Sequence, residues 1–162
     1  MKEVIRMNKK YPLSKLLEAL EWVDSDNQIF MHKETLKLIA VNDLSLNCLN
    51  RYELDPTSLL DWERDLAIEM NDLEYIRPDD YLKLPTQHEL NDYLIMERYI
   101  STLPTVLKES FYDAISKKGP FKNFRFLLQR HHLNDDFFEF KKKRYEELLI
   151  EWCESQGIDY EK

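Results

Sequence analysis

Glycine is almost missing from this chain: Gly119 and Gly157 are the only two in 162 residues. A loop that cradles phosphate needs several glycines so that backbone N–H groups can approach the anion, so neither a P-loop nor a dinucleotide fingerprint can be built here. Cysteine is equally scarce. Cys48 and Cys153 are too few and too far apart for a CxxC metal site or a disulfide framework, and both read as small reduced hydrophobes. No apolar run approaches the length of a membrane-spanning helix. The amino-terminal stretch MKEVIRMNKKYPLSKLLEALEW is interrupted by Lys, Glu and Asn every few positions and lacks the apolar core of a secretory signal, so a cytoplasmic location is the default expectation.

What the chain does have is charge and aromatic bulk. A hydrophobic fraction of 43% with 12% aromatic residues suits one folded domain, at a length where about 70% of the unfolded surface is typically buried. The formal net charge is -8, but it is unevenly placed. Residues 117–144 hold nine Lys or Arg against three acids, a local charge of +6 that leaves -14 for everything else. Within that segment GPFKNFRFLLQRHH, residues 119–132, carries no acid at all.

Apolar spacing outlines the elements. Leu13, Leu16, Leu17, Leu20 and Val23 predict a helix over residues 14–24 with Ser14 as its cap. QIFM and LKLIAV flank HKET and predict a hairpin over 28–41. Ser58, three residues before Asp61, opens a predicted helix over about 58–73 whose face of Leu59, Trp62, Leu66, Met70 and Leu73 turns inward by Trp62. YLKLP at 81–85 reads as an edge strand because it ends at a proline. Thr86 with Glu89 forms a capping box for a helix over 87–101 carrying Leu90, Tyr93, Leu94 and Ile100. Helices follow over 104–117 and 120–132, the first with Leu107, Phe111, Ala114 and Ile115, and Gly119 with Pro120 makes the corner between them. In the second, Phe121, Phe124, Leu127, Leu128 and His131 line the inner side. Asn134 caps a last helix over 135–156, closed by Gly157 and Ile158. The expected fold is α+β, a mainly helical single domain with an N-terminal β-hairpin and one further short strand.

The stretch from Gly119, Pro120, Phe121, Lys122 and Phe124 to Trp152, Cys153, Glu154, Gly157 and Ile158 resembles the signature of an uncharacterised bacterial protein family of small acidic proteins, one of the UPF series. Upstream, LSKLLEALE, the hairpin, DWERDLAIE and LPTQHELNDYLIMERYI follow in a similar order, so the likeness spans nearly the whole chain. It departs at the hairpin, where members often have a Glu-Thr-Gly turn and this chain has Glu34, Thr35 and Leu36. The resemblance implies no activity, cofactor or catalytic residue, because the family has none assigned.

Catalytic patterns are incomplete. HELND, with His88, Glu89 and Asp92, lacks the second histidine of HExxH. His131, His132, Asp135 and Asp136 straddle a predicted helix break that destroys the spacing for metal ligation, and the aspartates there read as capping residues. There is no GxSxG elbow and no cysteine with a histidine beside it. The corner at Gly119 also fits a helix-turn-helix presenting Lys122, Asn123, Arg125 and Gln129, against which the overall acidity weighs. The phenylalanines of the last three helices read as a shared core rather than as base-stacking aromatics, with Phe126 as the exception that points away.

The functional expectation is therefore a non-catalytic protein–protein interaction module, whose partner is another protein. The first alternative is nucleic-acid or polyanion binding through the basic face of residues 117–144, using Lys118, Lys122, Arg125, Arg130, Lys141, Lys142, Lys143 and Arg144. The second is an enzyme of unrecognised type. No cofactor, metal or membrane is implied.

Overall fold

The computed structural model describes residues 10–24 and 26–162. The stretch read for a targeting signal lies outside the described residues as far as residue 9. The fold is mainly helical α+β, as expected. In chain order the elements are β1 (Tyr11–Pro12), α1 (Leu13–Leu20), β2 (Gln28–His32), β3 (Leu38–Val41), α2 (Asp43–Leu54), α3 (Asp61–Asn71), β4 (Tyr81–Lys83), α4 (Gln87–Leu90), α5 (Asp92–Ser101), α6 (Thr105–Ser116), α7 (Pro120–Arg130), α8 (Asn134–Gln156) and β5 (Tyr160–Glu161). They fall into two compact units, one comprising the chain through Gln87 together with Trp152–Lys162, the other His88–Glu151.

In the first unit β2 pairs antiparallel with β3 and with β4, giving the order β3-β2-β4. The hairpin stands where the two β-branched, apolar runs placed it, and β4 is the edge strand that Pro85 allows. Ile29 and Met31 of β2 and Ile39 of β3 are buried, and Ile39 joins Leu49, Met70 and Leu73 in a cluster beneath the sheet. A second sheet pairs β1 with β5 in parallel, Tyr11 beside Tyr160 and Pro12 beside Glu161.

The hairpin connection, residues 33–37, contains a left-handed residue, Leu36, at φ 60°. Its N–H donates to the His32 carbonyl at 2.8 Å, and the His32 Nδ1 accepts from the backbone N–H groups of Glu34 and Thr35, each at 3.2 Å. A positive φ is one that glycine supplies without a Cβ clash and leucine does not.

Helix α1 is shorter than its apolar stripe suggested and begins one residue early, with Pro12 rather than Ser14 at its cap position. Proline has no side-chain acceptor, so no side-chain cap forms. Helix α2 has no counterpart in the sequence reading. Asn42 opens it reciprocally with Ser45: the Ser45 N–H donates to Asn42 Oδ1 at 3.0 Å and the Asn42 N–H donates to Ser45 Oγ at 2.9 Å. Its inner positions are Ser45, Cys48, Leu49 and Tyr52, correctly spaced for a helix but weakly apolar.

The helix expected over 58–73 is α3 followed by a widened turn, Asp72–Ile76. Ser58 is not its cap but part of a short 3-10 turn, and the Glu63 carboxylate instead accepts the Leu60 N–H at 3.0 Å. Glu63 also pairs with Arg51 at 2.6 Å across to α2. Leu59, Met70 and Leu73 of the expected stripe are buried and Leu66 packs against them, but Glu63 and Ala67 take the inner positions beside them and Trp62 is 54% exposed rather than buried.

The second unit is built on aromatic packing. Phe111 of α6 meets Phe124 of α7 with centroids 5.7 Å apart, Phe124 meets Phe137 of α8 at 4.8 Å, and Tyr99 of α5 meets Phe137 at 5.1 Å, all edge to face. Met96, Ile100, Leu103, Ile115 and Leu128 complete this core. The helix expected over 87–101 breaks in two at Asn91, which adopts φ 48° and accepts the Leu94 N–H on its side chain at 3.2 Å. The restart turns Tyr93 and Leu94 to the surface and puts Ile95, Met96, Tyr99 and Ile100 inside.

The corner before α7 forms as read, with Gly119 at φ 74°. Asn123 fixes it by donating from Nδ2 to the carbonyls of Ala114 and Lys118, at 2.9 and 3.1 Å. Two partly buried Tyr–Asp hydrogen bonds tie α8 to α5: the Tyr99 hydroxyl donates to Asp136 at 2.7 Å, and the Tyr145 hydroxyl donates to Asp92. At the far end of α8, Gly157 at φ 70° and the Ile158 N–H bonded to the Cys153 carbonyl at 2.8 Å form the left-handed cap expected there.

Candidate functional site

The eight basic residues singled out by charge all lie in the second unit, on α7, its entry corner and α8. Lys118, Lys122, Arg125 and Arg130 are exposed, and none of the four pairs with a carboxylate among the described residues. The other cations of this region divide differently. Lys117 bonds Asp113 at 2.8 Å. Lys141 is half-buried, 3.8 Å from Asp92 and over the Tyr145 ring at 5.1 Å from its centroid. Arg144 bonds Glu147 at 3.0 Å, while Lys142 and Lys143 are exposed. Two of the eight are therefore engaged in holding α8, and the continuous unpaired group is the one on α7.

Helical geometry sets the order of side chains around α7. At about 100° per residue, Arg125, Gln129 and Lys122 lie between Phe121 on one flank and Phe126 on the other, with Arg130 just past Phe126. Phe126 is 62% exposed. Phe121, expected on the inner side, is 45% exposed, because it sits in the first turn at the edge of the stripe, about 60° around the helix from buried Phe124. Phe138 of α8 is exposed as well. Asn123 spends its amide on the corner, so of the four helix-turn-helix contacts only Lys122, Arg125 and Gln129 face outward.

A second exposed face belongs to the first unit. On α3, Asp65 has Asp61, Trp62, Ile68 and Glu69 as its neighbours three and four residues away, and Trp62 and Ile68 are both exposed. Tyr75 and Ile76 continue the exposed apolar groups through the widened turn. Sequence periodicity missed this face because it assigned Trp62 to the interior.

Perturbed ionisation belongs to structural groups. Burial, reinforced by the hydrogen bond to Asp72, pushes the Tyr81 phenol up to about 12. The same pair of causes raises Tyr99 beside Asp136 and Tyr145 beside Asp92. Burial, with Glu154 nearby, pushes the Cys153 thiol up to about 11, which leaves little thiolate at neutral pH and makes it a poor nucleophile. Glu63 is held below the ordinary carboxylate range by the Leu60 N–H first and then by Arg51. Among the described residues, no group of three or more His, Cys, Asp or Glu is placed to hold a metal ion, and no helix is long and apolar enough to cross a membrane.

These features define a mainly helical α+β protein with exposed, charged and aromatic helical faces. Residues 59–161 match the model of the Uncharacterised protein family UPF0158, and the chain belongs to that family. No curated protein and no solved structure matches it.

Proposed function

We propose that this member of the family is a non-catalytic protein-interaction module and that the outward side of α3, with the turn after it, is its docking face. The observation that carries the reading is the exposure of Trp62 and Ile68 among Asp61, Asp65 and Glu69. Isolated apolar side chains on a surface need no explanation, but a tryptophan and an isoleucine set around one aspartate at helical spacing make a local patch with an acidic rim. Tryptophan is the side chain most often found at the energetic centre of an interface. Asp61 already pairs with Arg64 and Glu69 with Lys37, so Asp65 at the centre of the patch is the carboxylate that favours a partner whose apolar surface carries a Lys or Arg.

Affinity capture with the wild-type chain and with a Trp62→Asp/Ile68→Asp variant tests the reading, followed by titration of any captured protein after purification. The reading requires a direct binding partner that the variant loses while its unfolding midpoint is unchanged. It fails if the variant binds that partner as well as wild type does. Turnover of a hydrolase substrate panel that a single carboxylate substitution abolishes would overturn the non-catalytic part.

A further inference from the structure

A different surface, in the other unit, supports a second activity that stands independently of the α3 face. We infer that the outward side of α7 binds single-stranded nucleic acid, with Phe121 and Phe126 as stacking platforms for bases and Lys122, Arg125 and Arg130 as phosphate contacts.

Three observations converge on this. From Ala114 to Asn134 the chain holds five Lys or Arg and no Asp or Glu, so this stretch is opposite in sign to a chain whose net charge is -8. The cations Lys118, Lys122, Arg125 and Arg130 have no carboxylate partner among the described residues, whereas Lys117, Lys141 and Arg144 do. A helix face that served only to offset the protein's own acids would pair with them, and this one does not. Finally, the two exposed phenylalanines bracket Arg125, Gln129 and Lys122 on the same helix. A ring left in water beside unpaired cations has the two parts that sequence-tolerant single-strand binding uses: an aromatic face for a base and a positive track for the backbone.

The same geometry disfavours a duplex. In a duplex the base faces are stacked on one another, so exposed phenyl rings find nothing to stack on and stand between the cations and the phosphates. The acidic remainder of the chain also repels a long, rigid polyanion, while a short flexible strand can follow α7 alone. Three to four cations on about three turns of helix suit a site of only a few nucleotides, so affinity is modest and strongly dependent on salt.

The test is fluorescence anisotropy of the full chain with a labelled oligothymidine, the corresponding oligouridine and a duplex of equal length, each at several salt concentrations, with heparin titrated as a polyanion that has no bases. Single strands are expected to bind better than the duplex, with a log–log salt slope of about -2 to -3 for three to four phosphates. Phe121→Ala/Phe126→Ala should weaken single-strand binding about tenfold or more and leave heparin binding unchanged, since stacking is lost and charge is not. Lys122→Ala/Arg125→Ala/Arg130→Ala should abolish both. Phe126→Tyr keeps a stacking face and should bind as wild type does. If the double phenylalanine variant does not fold, the single Phe126→Ser variant carries the same expectation, because that ring is mostly in solvent. The inference is overturned by an absence of single-strand binding at low salt, by equal binding of duplex and single strand, or by phenylalanine variants that bind single strands normally.

Discussion

Leu36 holds a left-handed backbone at φ 60° in the hairpin connection, and replacing it measures how much strain the hairpin carries. A non-glycine residue in this region costs about 1 to 2 kcal/mol. Glycine removes that cost but gives the unfolded chain more freedom, worth about 0.5 to 1 kcal/mol. The side chain is half-buried, so deleting it also loses about half of the roughly 1.5 to 3 kcal/mol that full burial of a leucine contributes. Leu36→Gly is therefore expected to lie within about 1 kcal/mol of wild type, the relief of strain offsetting the lost packing. Leu36→Ala loses the same packing and keeps the strained φ, so it should be less stable than the glycine variant by about 1 kcal/mol. Because both variants lack the isobutyl group, their difference isolates the backbone. Urea unfolding followed by circular dichroism reads it directly, and for a chain of 162 residues it corresponds to a Tm gap of about 2 to 4 °C. An alanine variant as stable as the glycine variant would refute the reasoning, since it would mean that the turn relaxes to a negative φ at no cost.

Glu63→Gln tests the carboxylate that caps α3 and pairs with Arg51. Its pKa is lowered in the folded state, so its contribution is fully present above the unfolded value of 4.5 and is lost as pH falls through the lower folded value. The wild-type advantage over Glu63→Gln in urea midpoint should accordingly be constant near neutrality, begin to shrink as pH falls to 4.5 and vanish once pH is below the lowered folded value; a gap that persists in strong acid would show that the carboxylate charge is not its source. Phe111→Ala empties a fully buried position where α6 meets α7 and is expected to cost about 3 to 5 kcal/mol, read from denaturant unfolding. Asn91→Ala removes a cap and puts alanine at φ 48°, an expected loss of about 1 to 3 kcal/mol, whereas Asn91→Gly keeps the conformation and should recover most of it.

The hairpin, the edge strand, the Gly119 corner and the closing cap at Gly157 were legible because each rests on local chemistry: β-branched runs, a proline, and glycines where the backbone is left-handed. Helix α2 was not, since its buried side carries Ser45, Cys48 and Leu49, and one leucine among small side chains leaves no apolar rhythm to detect. On α3 the apolar spacing found Leu59, Leu66, Met70 and Leu73 but misplaced Trp62, because the inner positions beside them go to small Ala67 and to the ion-paired Glu63, which no apolar rhythm marks. The break at Asn91 is a single left-handed residue inside an otherwise continuous helical pattern, a conformation asparagine tolerates without announcing it. For the α7 surface, the excess of Lys and Arg was visible in the sequence. The exposure of Phe121 was not, because the reach of neighbouring helices over the first turn is a tertiary property.

The parallel pairing of Tyr11 with Tyr160 and Pro12 with Glu161 bears on the order in which the molecule can be completed as it is made. At about 5 to 20 residues per second, β1 is synthesised roughly 7 to 30 s before its partner strand exists. His88–Glu151, by contrast, is one continuous segment, and every buried residue of its core has been made by the time Leu149 is added. The unit that lies later in the sequence thus has all its pieces first, and the unit that begins first must wait for the last strand.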